Sequence, residues 1–557
     1  MIRAKYDKPK KLSCLQSCYL SFDYKPQIVE AIRMIPSRFY NIKDKVWEVP
    51  SDSIPLLQQE LDEDWEFRGK KLTEKSMLDK TPKFHYDLPK ELKTELYNFQ
   101  KEDFNILMNH DKYLLLNTAG TGKSIISIAT ALKRKEVSAV KRCLIIACVN
   151  SLKWNWVNEI HTHSNESVRV LGDSGKSTIS SSDKLEHLNN LDDTFFIVTN
   201  IETLRNKEIL DKLKKLIRKG EIEMVIVDEV HKNSSPSSQQ AKGLLAICKY
   251  LKYIYLLSGT PLVNSPLNAY LPLKCVGGEQ TNYSQFKSRY AVFGGFGSYQ
   301  IVGYRNLKEL QIKIDLVSTR KTKEDVLDLP PKVFIEEYLE MGDKQRRVYE
   351  NVKKAILADI DPNMLALDPL TVMLRARQAT AFTSIVSPTV DESIKLERLK
   401  EIISETDGKI VIFSMWTTVT DLLEKHLDNY AIYTGKTANR EAQIKKFKED
   451  DNCKIIIGTT QAMGTGLTLT EADTMVFFDE PWNYANFEQA SDRIYRIGTK
   501  NSVNIISLIC KNTLDEFIHK MIKKKRMMGD SIIDRKFSVQ DEKVLEFILS
   551  GEGNFYD

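Results

Sequence analysis

Residues 113–132 read Tyr113-Leu-Leu-Leu-Asn-Thr-Ala-Gly-Thr-Gly-Lys123-Ser124-Ile-Ile-Ser-Ile-Ala-Thr-Ala-Leu132. The apolar run Tyr113–Leu116 predicts a strand, the glycine-containing segment a tight loop, and Ile125–Leu132 a helix. That order makes a cradle for a triphosphate. Backbone N–H groups and the helix N-terminus face the anion, Lys123 reaches the β and γ oxygens, and Ser124 is able to hold Mg2+. Gly120 and Gly122 let the backbone curl close to the phosphates without a Cβ in the way. Thr118, Ala119, Gly120, Thr121, Gly122, Lys123 and Ser124 are therefore the candidate nucleotide-binding residues. The P-loop pattern has glycine where this chain has Asn117, so a plain glycine-rich turn before a helix stays open as a competing reading.

A second stretch decides between them. Met224-Val-Ile-Val-Asp228-Glu229-Val-His231 is an apolar strand that ends in two acids. An acid at the carboxyl end of a parallel strand beside the P-loop strand binds the Mg2+ that bridges the phosphates, here Asp228. The next carboxylate, Glu229, orients and deprotonates the attacking water. Two independent motifs in this order imply hydrolysis of a nucleoside triphosphate.

Working outward, apolar runs alternate with helical patterns from about Leu96 to Pro266. The runs are Tyr113–Leu116, Cys143–Cys148, Phe195–Thr199, Met224–Val227 and Ile254–Leu257. This is the rhythm of a parallel sheet flanked by helices. It returns from Leu396 with Lys409–Phe413, Ala431–Tyr433, Lys454–Gly458, Met475–Phe478 and Val503–Ile509. The expected organisation is a small α+β unit at 1–90, a first α/β lobe at 91–266 and a helical insertion at 267–395. A second α/β lobe at 396–530 and a tail at 531–557 follow.

Composition bounds the reading. The 557 residues are 42% hydrophobic and 28% charged, which excludes wholesale disorder. No apolar run approaches the ~18–20 residues of a membrane span. The basic start, Met1-Ile-Arg-Ala-Lys-Tyr-Asp-Lys, has no apolar core behind it, so no secretory signal is expected. A net charge of +5 neither requires nor excludes nucleic acid, because local clustering governs binding. The eight cysteines are few for this length and read as ordinary thiols. The eight histidines form no metal-hydrolase or nuclease constellation.

With these motifs in order, the chain resembles the superfamily 2 helicases, and within them the Swi/Snf-type double-stranded DNA translocases, over about residues 90–530. Leu96-Tyr-Asn-Phe-Gln100 looks like the adenine-reading segment, with Gln100 on the base edge. Asn150-Ser-Leu-Lys-Trp-Asn-Trp-Val-Asn-Glu159 and Val198-Thr-Asn-Ile-Glu-Thr-Leu-Arg205 resemble segments that follow a DNA strand. Ser258-Gly-Thr-Pro261 resembles motif III, which links the ATP and DNA sites. Leu329-Pro-Pro-Lys332 and Leu374-Arg-Ala-Arg-Gln378 resemble the helical insertion and its return, and Ile412-Phe-Ser-Met-Trp416 resembles motif IV. Gly458-Thr-Thr-Gln-Ala-Met-Gly464-Thr-Gly-Leu467-Thr-Leu-Thr470 resembles motif V, and Gln489-Ala-Ser-Asp-Arg493-Ile-Tyr-Arg496 motif VI.

The resemblance implies two RecA-like lobes, ATP with Mg2+ between them, and Gln100 and Gly464 added to the nucleotide contacts. Lys123, Glu229, Gln489, Arg493 and Arg496 become the catalytic set. Arg493 and Arg496, three apart, are expected to share a helix face and reach the γ-phosphate as arginine fingers. Thr199, Asn200, Thr459 and Thr468 fit phosphate contact with DNA, or serve as turns and caps. The sequence departs from the subfamily at Asn117-Thr118-Ala119, at Tyr495 and at Thr499.

Residues 23–50 resemble the HepA-related (HARP) domain of annealing helicases. Ile28, Ala31 and Ile32 make a helical stripe, and Arg38–Tyr40 and Val46–Val49 two strands around a polar turn. Arg38, Lys43 and Lys45 would face phosphate, with Tyr40 or Trp47 stacked on an unpaired base or packed in a core. Lys520–Arg526 is a basic helical stretch, either a solvated face or a backbone contact. The partner implied is double-stranded or branched DNA, with replication, repair or recombination proteins as further candidates. The chain is expected to be a cytoplasmic monomer of a prokaryote or its virus, with no membrane role. A strand-separating helicase and an ATP-gated DNA clamp are the alternative functions.

Overall fold

The computed structural model describes residues 1–35, 37–71, 82–148, 152–173, 179–233, 235–259, 265–294, 300–355, 369–463, 467–482, 484–496, 499 and 501–533. They form two compact units, a first built mainly from Met1–Thr118 and Gly122–Lys321 and a second from Thr322–Met527 together with Ala119–Thr121.

The first unit opens with a five-stranded sheet of β1 (Ile2–Asp7), β2 (Ser17–Ser21), β3 (Phe39–Asn41), β4 (Val46–Pro50) and β5 (Trp65–Arg68), in the order β3-β4-β2-β1-β5. Only the β1–β5 pair is parallel. The helix Pro26–Met34 buries Ile28 and Ile32 among Ile2, Ala4, Cys18, Leu20 and Val49, so the stripe in the sequence is the core face. Trp47 packs against this core with the Tyr40 ring 4.9 Å away, which makes it a packing residue, while Tyr40 stays exposed. Buried Glu48 gathers the loop before β2. It accepts from the N–H groups of Lys10, Lys11 and Leu12 at 2.8, 3.1 and 3.3 Å and from Ser17 Oγ at 2.9 Å. The small sheet is fastened to the rest of the unit by a buried polar knot. Ser13 Oγ donates to Glu279 at 2.6 Å, and Lys313 Nζ lies 2.6 Å from the same carboxylate.

The main sheet of this unit is seven-stranded and all parallel, in the order β14-β6-β11-β10-β7-β9-β8. Its strands are β6 (Lys112–Leu115), β7 (Cys143–Ala147), β8 (Val168–Val170), β9 (Phe196–Asn200), β10 (Met224–Asp228), β11 (Tyr253–Leu257) and β14 (Ser318–Thr319). Helices cover both faces, and this is why β7 and β11 are buried at every residue and read as unbroken apolar runs. A separate antiparallel hairpin joins β12 (Ala291–Gly294) to β13 (Gln300–Tyr304).

The second unit holds a six-stranded, all-parallel sheet in the order β15-β20-β19-β16-β18-β17. The strands are β15 (Lys332–Leu339), β16 (Lys409–Ser414), β17 (Tyr430–Tyr433), β18 (Ile455–Thr459), β19 (Ala472–Phe477) and β20 (Val503–Cys510). Two parallel-sheet lobes of α/β type are thus present as expected, but the stretch 267–395 is not a purely helical insertion. Its first part packs on the first core and adds β14 to that sheet's edge, and β15 begins the second sheet. Lys332-Val-Phe-Ile-Glu-Glu-Tyr-Leu339 pairs with β20 along its whole length.

All eight cysteines are free and buried. Among the described residues no helix is long and apolar enough to cross a membrane. The basic stretch Lys520–Arg526 lies in the helix Leu514–Ile533, where Lys520 pairs with Glu516 and Lys523 with Glu336, each at 2.9 Å. The tail beyond Ile533 lies outside the described residues.

Candidate active site

The glycine-containing loop joins β6 to the helix Lys123–Ser138, in the order the sequence predicts. Gly120 and Gly122 have φ of +83° and +84°, the left-handed region that costs other residues about 1–2 kcal/mol. At Gly122 a Cβ would also lie 2.3 Å from Gln100 Nε2, so the glutamine side chain would have to shift. Gln100 is buried beside the loop, with its Oε1 accepting from the Tyr97 N–H at 3.0 Å. The residue assigned to the base edge therefore does rest against the phosphate loop.

Lys123 folds over this loop, its Nζ donating to the carbonyls of Asn117 and Thr118 at 2.9 and 3.1 Å. Both acceptors are neutral, so an arriving phosphate oxygen is the stronger partner for the ammonium. Ser124 follows in the first helical turn, where backbone N–H groups have no carbonyl one turn back. Two left-handed glycines, a helix N-terminus and a movable ammonium fit a triphosphate.

Asn117 is explained by its partners. Its fully buried amide donates to Asp103 at 2.7 Å and its Oδ1 accepts from the Lys321 N–H at 2.8 Å. The Lys321 ammonium lies 3.2 Å from Asp103, and the Thr118 N–H donates to the Lys321 carbonyl at 3.1 Å. A glycine here would satisfy the usual pattern and lose this knot.

The second motif stands at the end of β10, next to β11 and two strands from β6 in the sheet order. Asp228 accepts from the Trp156 indole N–H at 2.9 Å. Burial and the adjacent Glu229 push its carboxyl up to about 7, with Trp156 and Lys123 pulling the other way. Glu229 takes φ +52°, which turns the chain sharply off the strand. Its carboxylate lies 3.1 Å from Nδ1 of buried His231, and that nitrogen is 2.9 Å from Ser258 Oγ at the end of β11. Ser258 of the motif III-like segment is thus joined through His231 to the proposed base. Thr260 and Pro261 of that segment lie outside the described residues, as do Asn150 and Ser151. Trp156 was no candidate on sequence grounds, because an indole 72 positions from its acceptor leaves no local signal.

Within the second unit, the helix Tyr484–Ser491 contains buried Gln489 but stops before the arginines. Arg493 and Arg496 sit in the turn that follows, not on a shared helix face. Thr499 Oγ1 accepts from the Arg496 N–H at 3.0 Å and donates to the Ile494 carbonyl at 2.9 Å, tightening the chain into a turn. Side-chain bonds keep the helical spacing nevertheless. Arg493 Nε donates to the Gln489 carbonyl at 3.0 Å, and Arg496 Nε to the Asp492 carbonyl at 2.9 Å. Arg493 also reaches the Leu467 carbonyl at 3.2 Å and Arg496 the Thr468 hydroxyl at 3.2 Å, so motif V-like and VI-like segments are cross-linked. Gly464 lies outside the described residues.

Of the threonines and asparagine weighed for DNA contact, Thr199 is buried on the Thr203 hydroxyl at 2.9 Å, and Asn200 accepts from Thr203 at 2.7 Å. Thr459 accepts from the Ala462 N–H at 3.3 Å. Lys184 donates to Thr203 at 2.7 Å, and burial lowers the pKa of both Lys153 and Lys184.

Residues 99–385 match the SNF2-related domain and residues 394–498 the helicase conserved C-terminal domain. The DNA annealing helicase and endonuclease ZRANB3 of Bos taurus is 26% identical over 82% of this chain and 42% of its own length. The TATA-binding protein-associated factor MOT1 of Saccharomyces cerevisiae is 26% identical over 83% of this chain and 29% of its own length. This chain therefore spans less than half the length of these two relatives. The Caenorhabditis elegans homolog of SWI/SNF-related matrix-associated actin-dependent regulator of chromatin subfamily A-like protein 1 is 24% identical over 94% of this chain and 76% of its own length.

Proposed function

Because the chain belongs to the SNF2-related family, we propose that it is a DNA-dependent ATP hydrolase that translocates on double-stranded DNA, remodelling forks, branched DNA or DNA-bound protein. The observation that carries this reading is the buried contact of His231 Nδ1 with both Ser258 Oγ, at 2.9 Å, and the Glu229 carboxylate, at 3.1 Å, which sets the motif III-like segment beside the proposed base. The relatives include a DNA annealing helicase and a factor associated with a DNA-binding protein, and both names fit the substrate class.

In this mechanism Gln100 holds the adenine edge, and the loop Thr118–Ser124 wraps the phosphates. Lys123 leaves the carbonyls of Asn117 and Thr118 for the β and γ oxygens. Ser124 and Asp228 would hold a Mg2+, which would supply positive charge to those oxygens. Glu229 accepts a proton from water as its oxygen attacks the γ-phosphorus and the bond to ADP breaks. Arg493 and Arg496 stabilise charge on the transferring group, with Gln489 beside them, and lose their anchor when phosphate leaves. Grip on the DNA backbone alternates with that cycle. Lys153 and Lys184, beside the Thr199–Thr203 segment, supply positive charge for it.

The N-terminal sheet reads the DNA structure through the exposed side of its β3–β4 hairpin, where Arg38, Tyr40, Lys43 and Lys45 all reach solvent. The test is the ATP hydrolysis rate measured side by side with single-stranded, duplex, forked and RNA substrates. Duplex and forked DNA raise the rate most. A rate that no DNA changes would overturn the motor reading.

A further inference from the structure

The turn that carries Arg493 and Arg496 lies past the end of its helix, where the Arg493 N–H donates to the Ala490 carbonyl and the Leu469 N–H to the Arg493 carbonyl, each at 2.9 Å, and the Thr499 N–H to the Arg496 carbonyl at 3.0 Å. One buried ammonium adds two further bonds to it. Lys323 Nζ is 2.5 Å from Asp492 Oδ1 and 2.6 Å from the Tyr495 carbonyl, with its side chain only 3% exposed. Asp492 and Tyr495 are the residues immediately before Arg493 and Arg496. Asp492 also presents its own carbonyl to Arg496 Nε. We propose that Lys323 is a positioning residue for the reaction, holding the two arginines in the geometry that reaches the γ-phosphate. The proposal rests on the reading of Arg493 and Arg496 as the arginines that touch the transferring phosphate.

Two residues before Lys323, Lys321 is fastened to Asn117 and Thr118 at the entry to the phosphate loop. Thr322 alone separates the residue tied to that loop from the residue tied to the arginine turn.

A buried ion pair also has a plain structural role, because removing one partner leaves the other charged and dry. Titration separates the two roles. The groups facing Lys323 are Asp492, which favours its charge, and Lys332 and Arg496, which oppose it. The Tyr495 phenol is raised from its ordinary value and stays neutral. Burial is the largest influence and draws Lys323 down to about 8. The ammonium is intact below that pH and is lost as pH rises through it.

The experiment compares the full chain with Lys323→Gln, Lys323→Arg, Arg493→Ala and Arg496→Ala, measuring kcat, KM, binding of a fluorescent ATP analogue, thermal midpoint and the pH profile. Lys323→Gln lowers kcat by about ten- to a hundredfold with analogue binding unchanged. Lys323→Arg recovers part of the loss. The wild-type kcat declines as pH passes about 8, whereas Lys323→Arg holds its rate, because a guanidinium keeps its proton. If both arginine variants keep full kcat, the arginine-finger reading itself fails. If they lose it while Lys323→Gln does not, the positioning role is overturned and the finger reading survives. A Lys323→Gln variant that loses analogue binding or thermal midpoint in step with kcat marks a structural pair and also overturns it. Should that variant not fold, the wild-type and Lys323→Arg pH profiles decide, and identical profiles contradict the proposal.

Discussion

The two parallel sheets hold their candidate site residues by different means. In the first, Lys123, Ser124, Asp228 and Glu229 stand where regular elements end, at the start of a helix or the tip of a strand, and the elements fix them. In the second, Arg493 and Arg496 stand in a turn and are kept in place by bonds to the Gln489, Leu467 and Asp492 carbonyls and the Thr468 hydroxyl. A group that must meet the same phosphate in every state suits a rigid edge. A group that engages and releases suits a turn whose bonds exchange, since the competing shapes differ by a few hydrogen bonds of about 1 kcal/mol each.

The sharpest way to break this contrast is at the strand tip. Glu229→Gln keeps the size and the strand, so ATP still binds, and kcat falls by about two to four orders of magnitude through loss of the base. A variant that hydrolyses ATP at the wild-type rate would remove Glu229 from the mechanism. A smaller effect sharpens the account of the loop. Asn117→Gly restores the usual P-loop pattern, yet it strips a buried partner from Asp103 and from the Lys321 N–H. Unfolding of the first unit by denaturant then becomes easier by about 1–3 kcal/mol. An unchanged denaturation midpoint would show that the knot carries no weight.

The same contrast governs how much could be read from the amino acids. The strand ending in Asp228-Glu229 was legible because both faces of its sheet are covered, which leaves an apolar run with acids only at its tip. Gly120 and Gly122 were legible because their backbone conformation excludes other residues. The arginine turn was read as helix because its spacing is helical, and the backbone ladder stops short of Arg496, whose N–H goes to the Thr499 side chain instead. Strand β15 was hidden for a related reason. It lies at a sheet edge, is half-exposed and mixes Glu336 and Glu337 with apolar residues. Trp156 on Asp228 and Lys323 on Asp492 join residues 72 and 169 positions apart, and no local pattern announces such pairs. In the N-terminal sheet, Ile28 and Ile32 were legible as a core stripe, whereas nothing local marks Glu48 as the buried acceptor for N–H groups some 36–38 positions away.

The central claim, that ATP hydrolysis drives movement along duplex DNA, is tested most directly by displacement of a third strand bound ahead of the protein on linear duplex DNA. Wild-type protein with ATP and Mg2+ should release the third strand without separating the duplex, and Glu229→Gln should bind the same DNA and release nothing. Hydrolysis at full rate with the third strand left in place, or equal release by Glu229→Gln, would contradict the claim.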